Sequence, residues 1–153
     1  MTYPTTAAES VALVDVLDPA AVAAATTNGG AIQFGASSGA FASQAIAILI
    51  VGACNGTVDF KLEQATDTTF GTKKDITGKA ITQLTASDDN EQAIINLDSS
   101  ELDTANGYDT WRWVATTAGD TNVLSAVVLA TDASYGPSSD YNVATVATGS
   151  FIK

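Results

Sequence analysis

The stretch from Phe41 to Ala65 limits the possible folds more than any other part of the chain. Two runs of strand-forming residues flank Asn55-Gly56, a pair that favours the positive φ angles of a tight type I′ turn. The sequence therefore predicts a β-hairpin. We expect its second arm to have one face in a core and one in water, because apolar and charged residues alternate along it: Val58, Phe60 and Leu62 against Asp59, Lys61 and Glu63.

The first arm of this hairpin is apolar on both faces. One face consists of Ile46, Ile48 and Ile50, and the other of Ala45, Ala47, Leu49 and Val51. Such a strand needs cover on both sides, either as a central strand or by contact with another subunit. We take the second face as a candidate oligomer interface, together with three residues of a similar strand near the C-terminus: Leu124, Ala126 and Val128. The alternative is that these faces pack between the two sheets of one subunit.

Strand-like runs recur along the whole chain, with turn signals between them. Residues 80–85 and 91–97 are a second predicted strand pair, and residues 111–117 and 122–131 are a third. Regular short strands predict an all-β fold, a single antiparallel β-sandwich or jelly-roll-like domain of about eight strands. Seven apolar side chains are expected to be buried in it: Val58, Phe60, Leu62, Ile95, Leu97, Trp111 and Trp113.

Shorter signals complete this outline. Val11 to Leu17 is a predicted edge strand that stops before Pro19, and residues 20–25 form either a short helix or an irregular strand. Asp98-Ser99-Ser100-Glu101 has the pattern of a helix capping box, and Asn106-Gly107 supplies a helix stop. We expect one or two helical turns there.

Polar segments flank the predicted sandwich at both ends. We divide the chain into an N-terminal arm at residues 1–10, a β-sandwich domain at residues 11–132 and a C-terminal arm at residues 133–153. Aromatic side chains on a polar segment bury a large area when the segment docks on a partner. The arms therefore contain the candidate partner contacts Tyr3, Pro4, Tyr135, Tyr141 and Phe151.

The charge of the chain excludes some classes of partner. Its 153 residues include 6 basic and 17 acidic ones, a net charge of −11. This charge repels nucleic acid phosphates and anionic membrane surfaces, so we expect neither as a partner. The first residues have no positive charge and no apolar run of the kind found in secretory signals. We expect a soluble protein that is made in the cytoplasm.

The sequence offers little chemistry. It contains no histidine, and its only cysteine is Cys54, which excludes Ser-His-Asp triads and the usual zinc sites. The densest acidic cluster, Ser87 to Glu91, lacks the spacing of a calcium-binding loop, and we interpret it as a solvated loop. We therefore predict no catalytic, cofactor-binding or metal-binding residues, and we expect that the protein is not an enzyme.

Three stretches carry a resemblance to a known class. Residues 45–70 pair a very apolar strand with a charged alternating one, residues 93–98 and 111–116 add a Leu-Asp strand and an aromatic-Arg strand, and residues 124–130 add a Ser-Ala-Val-Leu strand. This pattern, over residues 41–132, resembles small structural proteins of tailed bacteriophages. The resemblance implies a capsid decoration or cement protein, a homotrimer that sits on the outer surface of the virion head. Its partner would be the major capsid protein, whose subunits it would bridge and stabilise.

Two other classes fit the same residues. A carbohydrate-binding or adhesion sandwich, for example a tail or fibre component of a virion, is the main alternative, and it would have an open aromatic platform or a bound calcium ion. A fibronectin-like module is a weaker one, because Tyr108 before Trp111-Arg112-Trp113 is similar to a tyrosine corner.

Overall fold

The structure is a computed structural model that describes residues 11–34 and 42–131. This part of the chain forms nine β-strands and two short 3-10 helices. The strands are β1 (Val11–Val22), β2 (Ala25–Asn28), β3 (Ile32–Gln33), β4 (Gln44–Cys54), β5 (Thr57–Ala65), β6 (Lys73–Ala80), β7 (Gln92–Asp98), β8 (Thr110–Ala118) and β9 (Asn122–Thr131). The 3-10 helices are Ser99–Glu101 and Thr104–Asn106.

The strands form two antiparallel sheets that pack face to face as a sandwich. Sheet A has the strand order β1-β9-β4-β7, and sheet B has the order β2-β8-β5-β6, with β3 also paired to β8. The pairs β1-β9, β2-β8, β4-β7 and β5-β6 are nested one inside the next along the chain. This is the arrangement of a jelly roll, and it confirms the predicted fold class.

The nested pairing shows that the three predicted hairpins are wrong. β4 pairs with β7 and β9, whereas β5 pairs with β6 and β8. β8 and β9 likewise belong to different sheets. Residues 81–85 are not a strand, and Leu84 forms only an isolated bridge with Val58. In each case the chain crosses from one sheet to the other. Between β4 and β5 and between β8 and β9 it does so through a short turn, which can stack the next strand over the previous one as readily as it can pair them.

The turn between β4 and β5 also differs from the prediction. Neither Asn55 nor Gly56 has a positive φ angle, so the turn is not of type I′. A Cβ atom on Gly56 would lie 2.1 Å from the Ala118 carbonyl oxygen, and the Gly56 amide donates to the Asn122 side-chain oxygen at 3.1 Å. Glycine is needed here because the turn packs tightly against the β8–β9 connection, and not because of its backbone angles.

The core lies between the inner faces of the two sheets. All seven side chains that were expected to be buried are buried, which confirms the register of β5, β7 and β8. The predicted oligomer interface, in contrast, is wrong. Its residues pack against sheet B within one subunit, and each is no more than 2% exposed: Ala45, Ala47, Leu49, Val51, Leu124, Ala126 and Val128. They face inward because β4 and β9 are the two central strands of sheet A.

The edge strand β1 links the two sheets through a polar contact. Its pairing with β9 shifts between Leu13 and Asp15, and such a bulge turns two successive side chains toward one face. Val14 packs against the core, while the Asp15 carboxylate accepts a hydrogen bond from Trp113 Nε1 at 2.7 Å. The predicted edge strand is confirmed and extends to Val22. Residues 20–22 continue it, so the helical alternative for residues 20–25 is wrong.

The connection from β7 to β8 is helical, as predicted. The side chain of Asp98 caps the first 3-10 helix, and Glu101 completes the capping box by accepting from the Asp98 amide at 2.8 Å. Gly107 ends the second helix in the left-handed region at φ 83°. The arm residues Tyr3, Pro4, Tyr135, Tyr141 and Phe151 lie outside the described residues.

Candidate interaction surface

The outer face of sheet A is covered by aliphatic side chains. Strand register places Ile48 between Val127 and Ile94, with Val16 beyond Val127, and the next row contains Ile46, Leu129 and Leu13. Directly paired residues of antiparallel strands present their side chains on the same face. We call this set the aliphatic face: Leu13, Val16, Ile46, Ile48, Ile50, Ile94, Val123, Val127 and Leu129.

Several members of the aliphatic face are open to solvent. Ile94 is 62% exposed, Ile50 40% and Val123 39%, and these are the exposed large hydrophobic residues among the described part of the chain. Only uncharged polar residues interrupt the rows, namely Ser125, Gln92 and Asn96. Charged residues lie at the rim, among them Asp18 on the β1 edge, Asp98 at the end of β7 and Lys79, whose ammonium donates to the Asn96 carbonyl at 2.7 Å. The face therefore presents a contiguous neutral surface.

The outer face of sheet B is charged instead. Its β5 residues are Asp59, Lys61 and Glu63, as the alternating pattern predicted. The Glu63 carboxylate is buried, and it accepts from Arg112 Nε at 2.7 Å and from Lys73 Nζ at 3.1 Å. Charge-assisted hydrogen bonds of this kind are the strong ones. The buried charge on the outer face of sheet B is thus paired within the subunit.

A loop seals this ion pair. The Phe70 ring lies over the Arg112 guanidinium, with the guanidinium carbon 4.0 Å from the ring centroid. Phe70 adopts a positive φ of 58°, which is unusual for an aromatic residue, and the Asp67 side chain holds the turn by accepting from the Thr69 amide at 2.8 Å. The hydrogen bonds from Thr69 lower the pKa of Asp67. Phe70 is itself buried, and its ring covers the Arg112 guanidinium.

No cation in residues 11–34 and 42–131 lacks an acidic partner. The ion pairs are Lys61–Asp75, Lys73–Glu63, Lys74–Asp103, Lys79–Glu101 and Arg112–Glu63. With a net charge of −11 over the whole chain, the uncompensated charges of these ranges are carboxylates. This distribution is unsuitable for binding a polyanion such as nucleic acid.

A groove of about 410 Å³ borders the aliphatic face where β4 begins and β7 ends. Its lining includes Ile46, Asn96, Asp98 and Glu101. The hydroxyl and amide of Ser100 donate to Asp98 and lower its pKa. The Lys79 ammonium, 2.7 Å from the Glu101 carboxylate, lowers the pKa of Glu101. Both groups are therefore firmly ionised at neutral pH, and they give this end of the face an acidic border.

Sequence reasoning recognised that β4 is apolar on both faces but chose as its interface the face that is buried within the subunit. A signal for the correct choice lies in β7, where Gln92, Ile94 and Asn96 alternate with Ala93, Ile95 and Leu97. The mixed row marks the outer face, and Ile94 pairs with Ile48. The sequence did not predict that β4 pairs with β7, so the alternation in β7 could not be used to orient β4.

The described residues contain no group of three or more His, Cys, Asp or Glu side chains that could hold a metal ion. Nor do they include a helix long and apolar enough to cross a membrane. Phe60, Trp111 and Trp113 point into the core, so their strands present no open aromatic platform. No family model, curated protein or solved structure matches this chain. The resemblance to phage decoration proteins therefore rests on the residues alone.

Proposed function

We propose that the protein is a virion structural protein that decorates the outside of a bacteriophage capsid and stabilises it by bridging major capsid subunits. The observation that carries this proposal is the aliphatic face. A protein with a contiguous neutral, apolar surface and an otherwise acidic exterior is suited to permanent packing against protein. The face therefore supports a role as one subunit of a permanent protein assembly, and the sequence resemblance supplies the identity of that assembly.

The distribution of charge supports a position on the outside of the head. Packaged DNA lies inside, and an acidic exterior with every described cation paired gains nothing from contact with phosphate. On the outer surface the same carboxylates keep the particle hydrated and prevent aggregation between particles.

Capsid binding in this proposal uses several weak contacts at once. The protein acts as an oligomer whose arms dock on equivalent capsid sites, through Tyr3 and Pro4 at one end and Tyr135, Tyr141 and Phe151 at the other. After the first contact, the others form at an effective concentration of about millimolar. The arms lie outside the described residues, so this part of the proposal rests on sequence.

Co-sedimentation with undecorated heads, from a phage that encodes this chain, tests the proposal. We expect saturable binding of the full chain, and strongly reduced binding after deletion of residues 133–153. The deletion variant must keep the far-ultraviolet circular dichroism of the sandwich. Absence of binding by the full chain would contradict the function. Full binding by both arm deletions would contradict only the role of the arms.

A further inference from the structure

The aliphatic face lacks an assigned occupant, although its size and chemistry demand one. Its inner counterpart is fully covered by sheet B, but Ile94, Ile50 and Val123 on the outside remain exposed in the subunit. We propose that the occupant is a second copy of this chain, packed with its own aliphatic face against the first. This inference rests on the proposed function as a multivalent structural protein and names the surface through which the copies associate.

Charge favours a second copy at this surface. Each chain has a net charge of −11, so two copies repel each other wherever their carboxylates approach. Described cations cannot relieve this repulsion across an interface, because all of them are paired within the subunit. The aliphatic face has no charged member, and an apolar surface is complementary to itself, as an isologous contact requires. It is therefore the surface where two copies meet at the lowest electrostatic cost.

The shape of the face suits sheet-on-sheet packing. Its rows follow the pleat of four hydrogen-bonded strands, and the side chains of neighbouring rows are separated by two residues along each strand, or about 6.6 Å. Rows of this spacing interdigitate with those of a facing sheet at about 10 Å. Ile48, Ile94 and Val127 lie in the central row, where a facing sheet would bury them most completely.

The area is large enough to form the centre of a stable contact. Standard strand spacing and rise make the aliphatic face roughly 20 Å long and 19 Å wide, on the order of 400 Å². A stable interface buries about 800 Å² on each partner, with an apolar centre and a polar rim. Gln92, Asn96 and Gln44 surround the face and provide such a rim. The face thus supplies about half of the required area.

Sedimentation velocity of the full chain, from nanomolar to high micromolar concentration, tests this inference. We expect a concentration-dependent oligomer. Ile48→Asp and Ile94→Asp each place an unpaired carboxylate at the centre of the contact, and we expect the midpoint of association to move at least about a hundredfold higher in concentration. Thr26→Asp on β2, an exposed position in sheet B, adds the same charge and is expected to change nothing.

Ile94→Thr guards against misfolding of the charged variants, because threonine is also β-branched and uncharged. We expect it to weaken association about tenfold. A wild-type chain that stays monomeric at high micromolar concentration would overturn the inference. An oligomer that tolerates both aspartate substitutions would overturn it as well.

The proposed function fails in a distinguishable way. Chains that associate through this face but do not bind undecorated heads would contradict capsid decoration and leave the inference intact. A monomer that binds heads at full occupancy would do the reverse.

Discussion

The two sheets of this sandwich treat their outer faces in opposite ways. Sheet B carries charged residues, and it neutralises them locally through Glu63, Arg112 and Lys73 under the cover of Phe70. Sheet A carries rows of isoleucine and valine with no cover in the described subunit. The inner faces are alike, since both are apolar and buried. The difference lies only in the residues that do not build the core.

This contrast separates stability from association. The charges of sheet B are satisfied within the subunit, so their loss would affect folding. The aliphatic side chains of sheet A contribute least to the core, so their replacement would affect contacts with other molecules. Substitutions on the two faces are therefore expected to change different measured quantities.

The largest effect is expected from Glu63→Gln. This substitution removes the charge that neutralises Arg112, whose side chain is only 14% exposed, and an unpaired buried charge costs about 3 kcal/mol or more. The free energy of unfolding in urea measures it. Asp75→Asn is the control, because the Lys61–Asp75 pair is exposed and such pairs contribute less than about 1 kcal/mol. Equal effects of the two substitutions would contradict the view that sheet B depends on a buried ion pair.

The chain crosses from sheet A to sheet B at the turn between β4 and β5, and this turn is tightly packed. Gly56→Ala places a methyl group 2.1 Å from the Ala118 carbonyl oxygen, and we expect it to lower the free energy of unfolding by about 2 kcal/mol or more. Gly52→Ala is a matched control in β4, because its methyl group would find Val123 Cγ1 at 3.4 Å, an ordinary contact distance. If Gly56→Ala proved as harmless as Gly52→Ala, the tight packing of this turn would be refuted.

Association through sheet A would couple stability to protein concentration. For a dimer, each tenfold rise in concentration adds about 1.4 kcal/mol per mole of dimer, or about 0.7 kcal/mol per chain, to the free energy of unfolding. Urea unfolding of the wild type at two concentrations measures this shift. We expect no shift for Ile94→Asp and a normal shift for Thr26→Asp. A wild-type unfolding curve that does not depend on concentration would contradict association.

The smallest expected effect is the pH dependence, which differs between the stability of the subunit and its association. The pKa values of Asp98 and Glu101 are lowered in the folded protein, so their contribution to stability is complete above about pH 4 and is lost as the pH falls through their folded values. We expect Asp98→Asn to flatten this acid loss in urea unfolding. Association is expected to strengthen as the pH falls towards 4, because protonation of carboxylates reduces the repulsion between copies while the aliphatic face stays neutral. Weaker association on acidification would indicate a contact made by ion pairs.

The sequence was sufficient for the fold class and the core. Strict alternation in β5 predicted that Phe60 and its neighbours two residues away face the core. The pair Asp98 and Glu101 predicted the capped turn after β7. It was not sufficient for the strand pairing. A turn such as Asn55-Gly56 has the same local chemistry whether the chain pairs with itself or crosses to a second sheet, and the contact of Gly56 with Ala118 is set by residues far apart in sequence.

The same limit explains why the expected interface residues of β4 are buried in the core instead. Both faces of β4 are apolar, so the sequence of that strand does not tell which face packs inside. The answer depends on its partners β7 and β9, which bring Asn96 and Ser125 onto one face only. The buried Glu63 was also missed, because alternation predicted a solvated acid and the cover by Phe70 and Arg112 comes from elsewhere in the chain.

Protection of a single thiol would test the central claim, that the aliphatic face is covered by another copy, most directly. Cys54 is only 1% exposed, so a cysteine introduced by Ile94→Cys would dominate the reaction with a maleimide reagent, and Thr26→Cys would serve as the reference on sheet B. We predict that the thiol at position 94 reacts rapidly at nanomolar concentration and much more slowly at high micromolar concentration, while the thiol at position 26 reacts equally fast at both. Equal reactivity of position 94 at the two concentrations would contradict the account.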